Sequence, residues 1–182
     1  MKGIILTELI DLIETRYSPR IADAVLAPAG LLSAGVYTAV GNYDYEEFVE
    51  LVARFARVTQ QTPDAVLREL GRHTFKKFMR QYPQFVVGDS AFELLARVDD
   101  TIHATLANVH PDAELPKLRF EALDAGRARI EYRSERAMAD YAEGAIHGCI
   151  AHFDESIDVA REDLAGAPGT HACFTLTKTT RR

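Results

Sequence analysis

The stretch from Glu131 to Tyr141, EYRSERAMADY, decides how the chain is read. It passes from the end of a strand pattern into the start of a helix pattern and brings Tyr132, Ser134 and Arg136 close together in sequence. Alternation along a strand puts Tyr132 and Ser134 on one face, and Arg136 is expected near the first turn of the helix that follows. A phenol, a hydroxyl and a planar guanidinium fork together make a clamp for a carboxylate. The same residues also suit a plain strand exit, with a serine or glutamate helping to cap the next helix.

Working outward, the residues on either side read as a small antiparallel sheet. Leu118–Leu123, Arg127–Tyr132, Ser156–Val159 and Ala172–Thr177 alternate as strands, with turn signals at Asp124–Gly126 and Gly166–Gly169. One helix, Arg136 to about Phe153, separates the second strand from the third. Upstream the character is helical. Ile4, Ile5, Leu9, Leu12 and Ile13 recur at helical spacing in Met1–Arg16. Pro19 opens a short second helix, and 28–42 is a Gly- and Ala-rich connection. Asp44 caps a helix from Tyr45 to about Thr59. Thr62-Pro63-Asp64 opens another, running to about Tyr82 and interrupted by Gly71. A mid-helix glycine costs about 1 kcal/mol against alanine, so Gly71 marks close packing or a bend. A last helix spans Ala91 to about Val109, capped by Asp89 or Ser90. The fold class is therefore α+β: an N-terminal helical part packed on a C-terminal part with a four-stranded antiparallel sheet and a helix.

The 182 residues form a single domain with ample core. A net charge of −6 argues against nucleic acid and a basic membrane surface as partners. The one basic cluster is Arg181-Arg182. The apolar segment Gly3–Ile13 is interrupted by Glu8 and Asp11 and reads as neither signal peptide nor membrane span. With Cys149 and Cys173 read as reduced thiols, the expected location is the cytoplasm.

Three groups of residues could carry chemistry. His103 lies late in its helix, with Asp99 at i−4. It is either an ordinary helical histidine or a single axial ligand whose imidazole leaves the opposite side of an iron open to a gas. Pro116, in the loop HPDAELP, is either a strand-entry proline or a rigid plate against a flat ligand. Cys149, His152, His171 and Cys173 could in principle hold zinc, but their spacing matches no standard finger. No phosphate loop, nucleophile elbow or paired-carboxylate pattern appears.

Taken together, MKGII at the start, His103 in DDTIH, Pro116 in AELP, and the Tyr132, Ser134, Arg136 pattern resemble the H-NOX family, the haem nitric oxide/oxygen-binding domains. The resemblance covers nearly the whole chain. It implies one non-covalent haem b held between a distal helical part, about 1–60, and a proximal part, 61–182. His103 would be the proximal iron ligand, and Tyr132, Ser134 and Arg136 would hold the propionates. Ile5 and Pro116 would press on the porphyrin. Gly71 and Gly144 match glycines associated with relative motion of the two parts. Tyr141, Leu9, Thr74 and Phe78 would lie in the distal pocket. Members that bind O2 carry an indole and an amide where this chain has Leu9 and Thr74. Some members also have a zinc site of three cysteines and a histidine, of which only Cys173 finds a match here.

The function so implied is a gas sensor and not an enzyme. NO would be the main ligand, O2 or CO further possibilities, and NO would weaken the bond to His103. The signal would pass to a separate protein, a histidine kinase or a cyclic-di-GMP enzyme. Alternatives are an O2-binding haem protein that uses Tyr141, and a haem-free sensor of another small apolar ligand. A peroxidase is a weaker fit, because Arg72 and His73 diverge as neighbours on a helix.

Overall fold

Helix α1, Gly3–Arg16, buries Leu6, Leu9, Leu12 and Ile13 completely, as its spacing requires. Tyr17 and Pro19 end it, and the Ser18 hydroxyl caps α2, Pro19–Val25, by accepting the Ile21 N–H at 3.3 Å. Helix α3 is Tyr45–Thr59 and buries Phe48, Leu51, Val52 and Phe55. Asp44 stands at its N-cap position but makes no capping bond through its side chain. Helix α4, Pro63–Gln81, starts on Thr62, whose hydroxyl accepts the Ala65 N–H at 3.4 Å. The structure is a computed structural model, and it describes residues 1–86, 88–109, 113–164 and 166–179. His110, Pro111 and Asp112 of the HPDAELP loop, and the Arg181-Arg182 pair, lie outside the described residues.

The helix expected over Ala91–Val109 is instead three pieces. Helix α5 is Ala91–Leu95, capped by Ser90. A π turn, Val98–His103, follows, and then α6, Ala104–Val109. The reason is local. Asp99, Asp100 and Thr101 are poor interior helix formers, because their short polar side chains compete for backbone groups. Thr101 does so here, donating its hydroxyl to the Arg97 carbonyl. The Ala104 N–H reaches back five residues to the Asp99 carbonyl, which defines the wider turn.

Four strands form one antiparallel sheet in the order β1-β2-β4-β3. They are β1 Lys117–Ala122, β2 Arg127–Arg133, β3 Ile157–Asp163 and β4 His171–Lys178. On β2 the residues Ala128, Ile130 and Tyr132 face the core, and on β4 Ala172, Phe174 and Leu176 do. The other face is charged, with Arg119, Glu121, Arg129 and Glu131 lining a shallow depression. Helix α7, Ala139–His152, joins β2 to β3. It begins three residues later than expected, so Arg136 lies in the turn before the helix and not in its first turn. Among the described residues the fold is thus seven α-helices and a four-stranded antiparallel sheet, the α+β class expected. No helix among them is long and apolar enough to cross a membrane.

The layers are joined at α4 and α7, which cross with their backbones touching. A Cβ placed on Gly71 would lie 2.1 Å from the Tyr141 carbonyl oxygen, and one on Gly144 would lie 2.1 Å from that of Arg68. Only hydrogen fits at either place. Arg68 clamps the same crossing through Asp64 and Asp140, both at 2.5 Å. Helix α4 also packs on α1 and α3. Gly144→Ala should therefore force the helices apart and lower stability by about 1–3 kcal/mol, seen as a fall in the thermal unfolding midpoint.

The 28–42 connection is anchored by a buried carboxylate. Glu47 accepts hydrogen bonds from the Ser33 N–H at 2.8 Å, the Ser33 hydroxyl at 2.9 Å and the Tyr37 hydroxyl at 2.9 Å. Burial alone would raise its pKa, but these donors outweigh burial and hold it below the usual value. A carboxyl depressed on folding contributes stability that is complete above its unfolded pKa, near about 4.3. That contribution is lost as pH falls through the lower folded value. Glu47→Gln should cost about 1–3 kcal/mol at neutral pH and flatten the stability curve below that pH, measured by denaturant unfolding across an acid series.

Candidate functional site

The sheet register builds one end of the site. Lys117 pairs with Arg133 and Leu118 with Tyr132, so Pro116, just before β1, stands level with Ser134. Glu114, two residues earlier, reaches Arg136, whose guanidinium holds both its carboxylate and, at 3.4 Å, its carbonyl. The segments 114–116 and 132–136 therefore meet at the same edge. The Ser134 hydroxyl accepts the Arg136 N–H at 3.1 Å, which folds the turn and leaves its own O–H as a donor. Tyr45, at the start of α3, donates to the Ala137 carbonyl at 3.3 Å and ties the helical layer to this turn.

Tyr132 is the informative member. Its side chain is 1% exposed, and its hydroxyl has no hydrogen-bond partner among the described residues. Burial raises its pKa, while Ser134 and Met138 stand close enough to offset part of that without forming an ordinary hydrogen bond. Leaving such a group unpaired costs about 1–3 kcal/mol, so native structures seldom do it without a reason. Beside it, Arg136 already grips a carboxylate, that of the largely exposed Glu114. An exposed pair of this kind is worth about 0–1 kcal/mol and exchanges readily for another carboxylate.

His103 ends the π turn, and that turn packs against β1. Its Nδ1 is 2.8 Å from Asp99 Oδ1. An imidazole that gives its Nδ1–H to a carboxylate keeps its lone pair on Nε2, the arrangement of a histidine prepared to bind a metal. The i,i+4 spacing read from the sequence thus has a geometric meaning.

The other side is built by α1, α4 and α7. Ile5, Leu9, Phe78 and Tyr141 belong to one apolar cluster, with Leu9 wholly buried. Phe78 packs on Tyr82 at 4.9 Å and on Phe85 at 5.6 Å. Burial pushes the Tyr141 phenol up to about 12, Thr74 offsets part of that, and the nearby Glu8 charge and Tyr132 add to it. Thr74 buries its hydroxyl without a hydrogen bond of full geometry.

Sequence reasoning missed Glu8. It is buried on α1, with Oε1 2.9 Å from Lys77 Nζ and Oε2 unpartnered. The signal was present: Ile5, Glu8, Leu9 and Leu12 form one helical stripe, so Glu8 shares the face of Ile5 and Leu9. Glu8, Asp11 and His73 place ligand atoms within 4.8 Å of one another, but Lys77 already bridges Glu8 and Asp11 with its own charge. The cysteines do not converge. Cys149 is buried with Sγ on the Ala91 carbonyl and its thiol is pushed up to about 12 by burial, while Cys173 alternates away from the core-facing Ala172 and Phe174. His171 pairs instead with Glu131 at 3.0 Å.

A buried phenol and a guanidinium aimed at a carboxylate, an imidazole prepared for a metal, and an apolar wall opposite are a donor set that fits haem. The chain matches the Haem-NO-binding family over residues 2–161, and it belongs to that family of haem-based gas sensors. Among solved structures it is similar to the Fe(II) unliganded H-NOX protein from K. algicida, with 30% identity, a TM-score of 0.89, and 100% of this chain and 98% of that one covered. The IWP-051-bound H-NOX from Shewanella woodyi in the Fe(II)CO state shows 31% identity and a TM-score of 0.82, over 100% of this chain and 96% of that one. An H-NOX protein from S. oneidensis in the Fe(II)NO state shares the fold at 20% identity, with a TM-score of 0.87 over 99% and 100% of the two chains. No curated protein matched.

The unpaired phenol gives a prediction with two opposite signs. Tyr132→Phe should leave the haem-free protein as stable as before or about 1 kcal/mol more stable, because it removes an unsatisfied buried hydroxyl. The same change should speed haem loss to an acceptor protein, followed by absorbance.

Proposed function

We propose that this protein senses nitric oxide at a haem held between its helical part, 1–60, and its proximal part, 61–182. The observation that carries the reading is the buried, unpartnered Tyr132 hydroxyl, four residues before Arg136, whose guanidinium already holds a carboxylate. Haem supplies a ferrous iron with one side open to a diatomic gas. His103 offers Nε2 to that iron, its ring oriented by Asp99. Tyr132, Ser134 and Arg136 hold the propionates, with Arg136 exchanging Glu114 for one of them. Ile5 and Pro116 press on the flat ring, and Leu9, Thr74, Phe78 and Tyr141 line the gas side.

Signalling follows from what His103 restrains. While His103 is held, the π turn is fixed against β1, and α6 continues from it. Once His103 is released, that turn is free to relax, and the two parts shift about the crossing near Gly71 and Gly144. Such a shift is a ligand-biased change between two arrangements, read by a separate partner. By resemblance the partner is a histidine kinase or a cyclic-di-GMP enzyme, and the setting is cytoplasmic. O2 binding is the second reading, favoured by the partly buried Tyr141.

His103→Gly should take up haem poorly and give no histidine-ligated ferrous spectrum until imidazole is added, which should restore it. A normal spectrum without imidazole would overturn the assignment. In the parent protein, titration of the reduced form should show NO binding with loss of the His103 bond. A stable complex in air, lost in Tyr141→Phe, would instead support the O2 reading.

A further inference from the structure

Among the described residues, Glu8 is the one buried acid of the helical side whose carboxylate is not fully paired. Its side chain lies between α1 and α4, on the stripe that carries Ile5 and Leu9. Lys77 takes Oε1, and Oε2 meets nothing. Lys77 is shared with Asp11, at 3.2 Å, and Asp11 also pairs with His73 at 2.7 Å and is far more open to solvent than Glu8. Asp11, His73 and Lys77 line an open groove of about 480 Å³, while Glu8 stays inside. Thr74, one turn before Lys77 on α4, has the other bare buried oxygen of this side. Tyr141 rests its backbone against Gly71, one turn further back. Glu8 and Thr74 thus leave two unpartnered buried oxygens on α1 and α4, the helices that carry Leu9 and Phe78. The Glu8 charge is felt at the Tyr141 phenol, where it opposes ionisation.

From this geometry we propose that Glu8 sets the gas selectivity of the pocket. Its half-paired carboxylate gives the gas side a negative field, so the pocket disfavours O2 and leaves NO unaffected. The chemistry follows from the two gases. O2 gathers negative charge on its outer oxygen when it binds ferrous iron, so it needs a donor and is repelled by a carboxylate. NO gathers much less charge there and depends little on either. Lys77 compensates one oxygen of Glu8 only, and in a low-dielectric interior the remainder is poorly screened. The proposal rests on the assignment of Tyr141, Leu9 and Thr74 to the gas side, made above.

The test uses the haem-loaded ferrous protein with carbon monoxide as a field probe. A negative field near the outer oxygen raises the C–O stretching frequency, and a positive one lowers it. Glu8→Gln keeps the size and the contact with Lys77 but removes the charge. It should lower the C–O stretch and raise O2 affinity by at least about tenfold, with NO affinity unchanged. Lys77→Met should move the stretch the opposite way. Adding Tyr141→Phe to Glu8→Gln should cancel the gain in O2 affinity. Tyrosine ring 13C resonances, with that of Tyr141 assigned by its substitution, should shift in Glu8→Gln whether or not O2 is present. If Tyr141→Phe moves the C–O stretch but neither Glu8→Gln nor Lys77→Met does, the proposal is overturned while the pocket stands. If Tyr141→Phe also leaves the stretch in place, the pocket assignment itself fails.

Discussion

Two glycines meeting two carbonyls hold this molecule together. Because Gly71 and Gly144 carry no side chains, α4 and α7 approach until backbone touches backbone. That contact fixes the sheet, to which α7 is covalently joined at both ends, relative to α1 and α3, which pack on α4. It also aims Tyr141, whose carbonyl is one of the touching atoms. A close-packed interior transmits such a constraint, because it has no slack to absorb a displacement. The site at the β2 end and the wall on α1 are therefore in register only while the crossing is intact.

Around that crossing the molecule distributes its polar groups unevenly. Arg68 and Arg161 neutralise Asp140 and Glu143 at the rim of α7, and burial still raises the pKa of Asp140. Inside, Glu47 is fully supplied with donors and simply anchors a loop. Tyr132, Thr74 and Glu8 are not supplied. Unsatisfied buried side-chain atoms are rare, and the three found among the described residues all belong to side chains on α1, α4 and β2.

Much of this was legible in the sequence. The apolar spacing of α1, α3 and α4 gave their limits to within a residue or two, because each buries one continuous stripe. The strands alternated cleanly, since one face meets α7 and the other meets water. Tyr132 was readable as core-facing from that alternation, whereas Ser134 lies one residue past the end of β2. Three features were not. The run Asp99-Asp100-Thr101 reads as helix by spacing, yet the Thr101 hydroxyl binds the Arg97 carbonyl and Asp99 turns to His103 within a π turn. Arg136 reads as helical, but the Ser134 hydroxyl holds its N–H in a turn. Glu8 reads as a break in an apolar segment, because its partner Lys77 is far away in sequence and only the packing of α1 on α4 joins them.

The π turn has a mechanical meaning. It closes over one residue more than an ordinary helical turn, so the two closures differ by the rotation of a single residue, about 100°. His103 is its last residue, and α6 continues directly from it. Whatever holds or frees that imidazole therefore acts on a screw. The choice between closures turns the whole of α6 about its own axis, changing which side chains it shows without moving it far. Under the proposed sensing role, a diatomic ligand too small to push a helix would still decide which way one is wound.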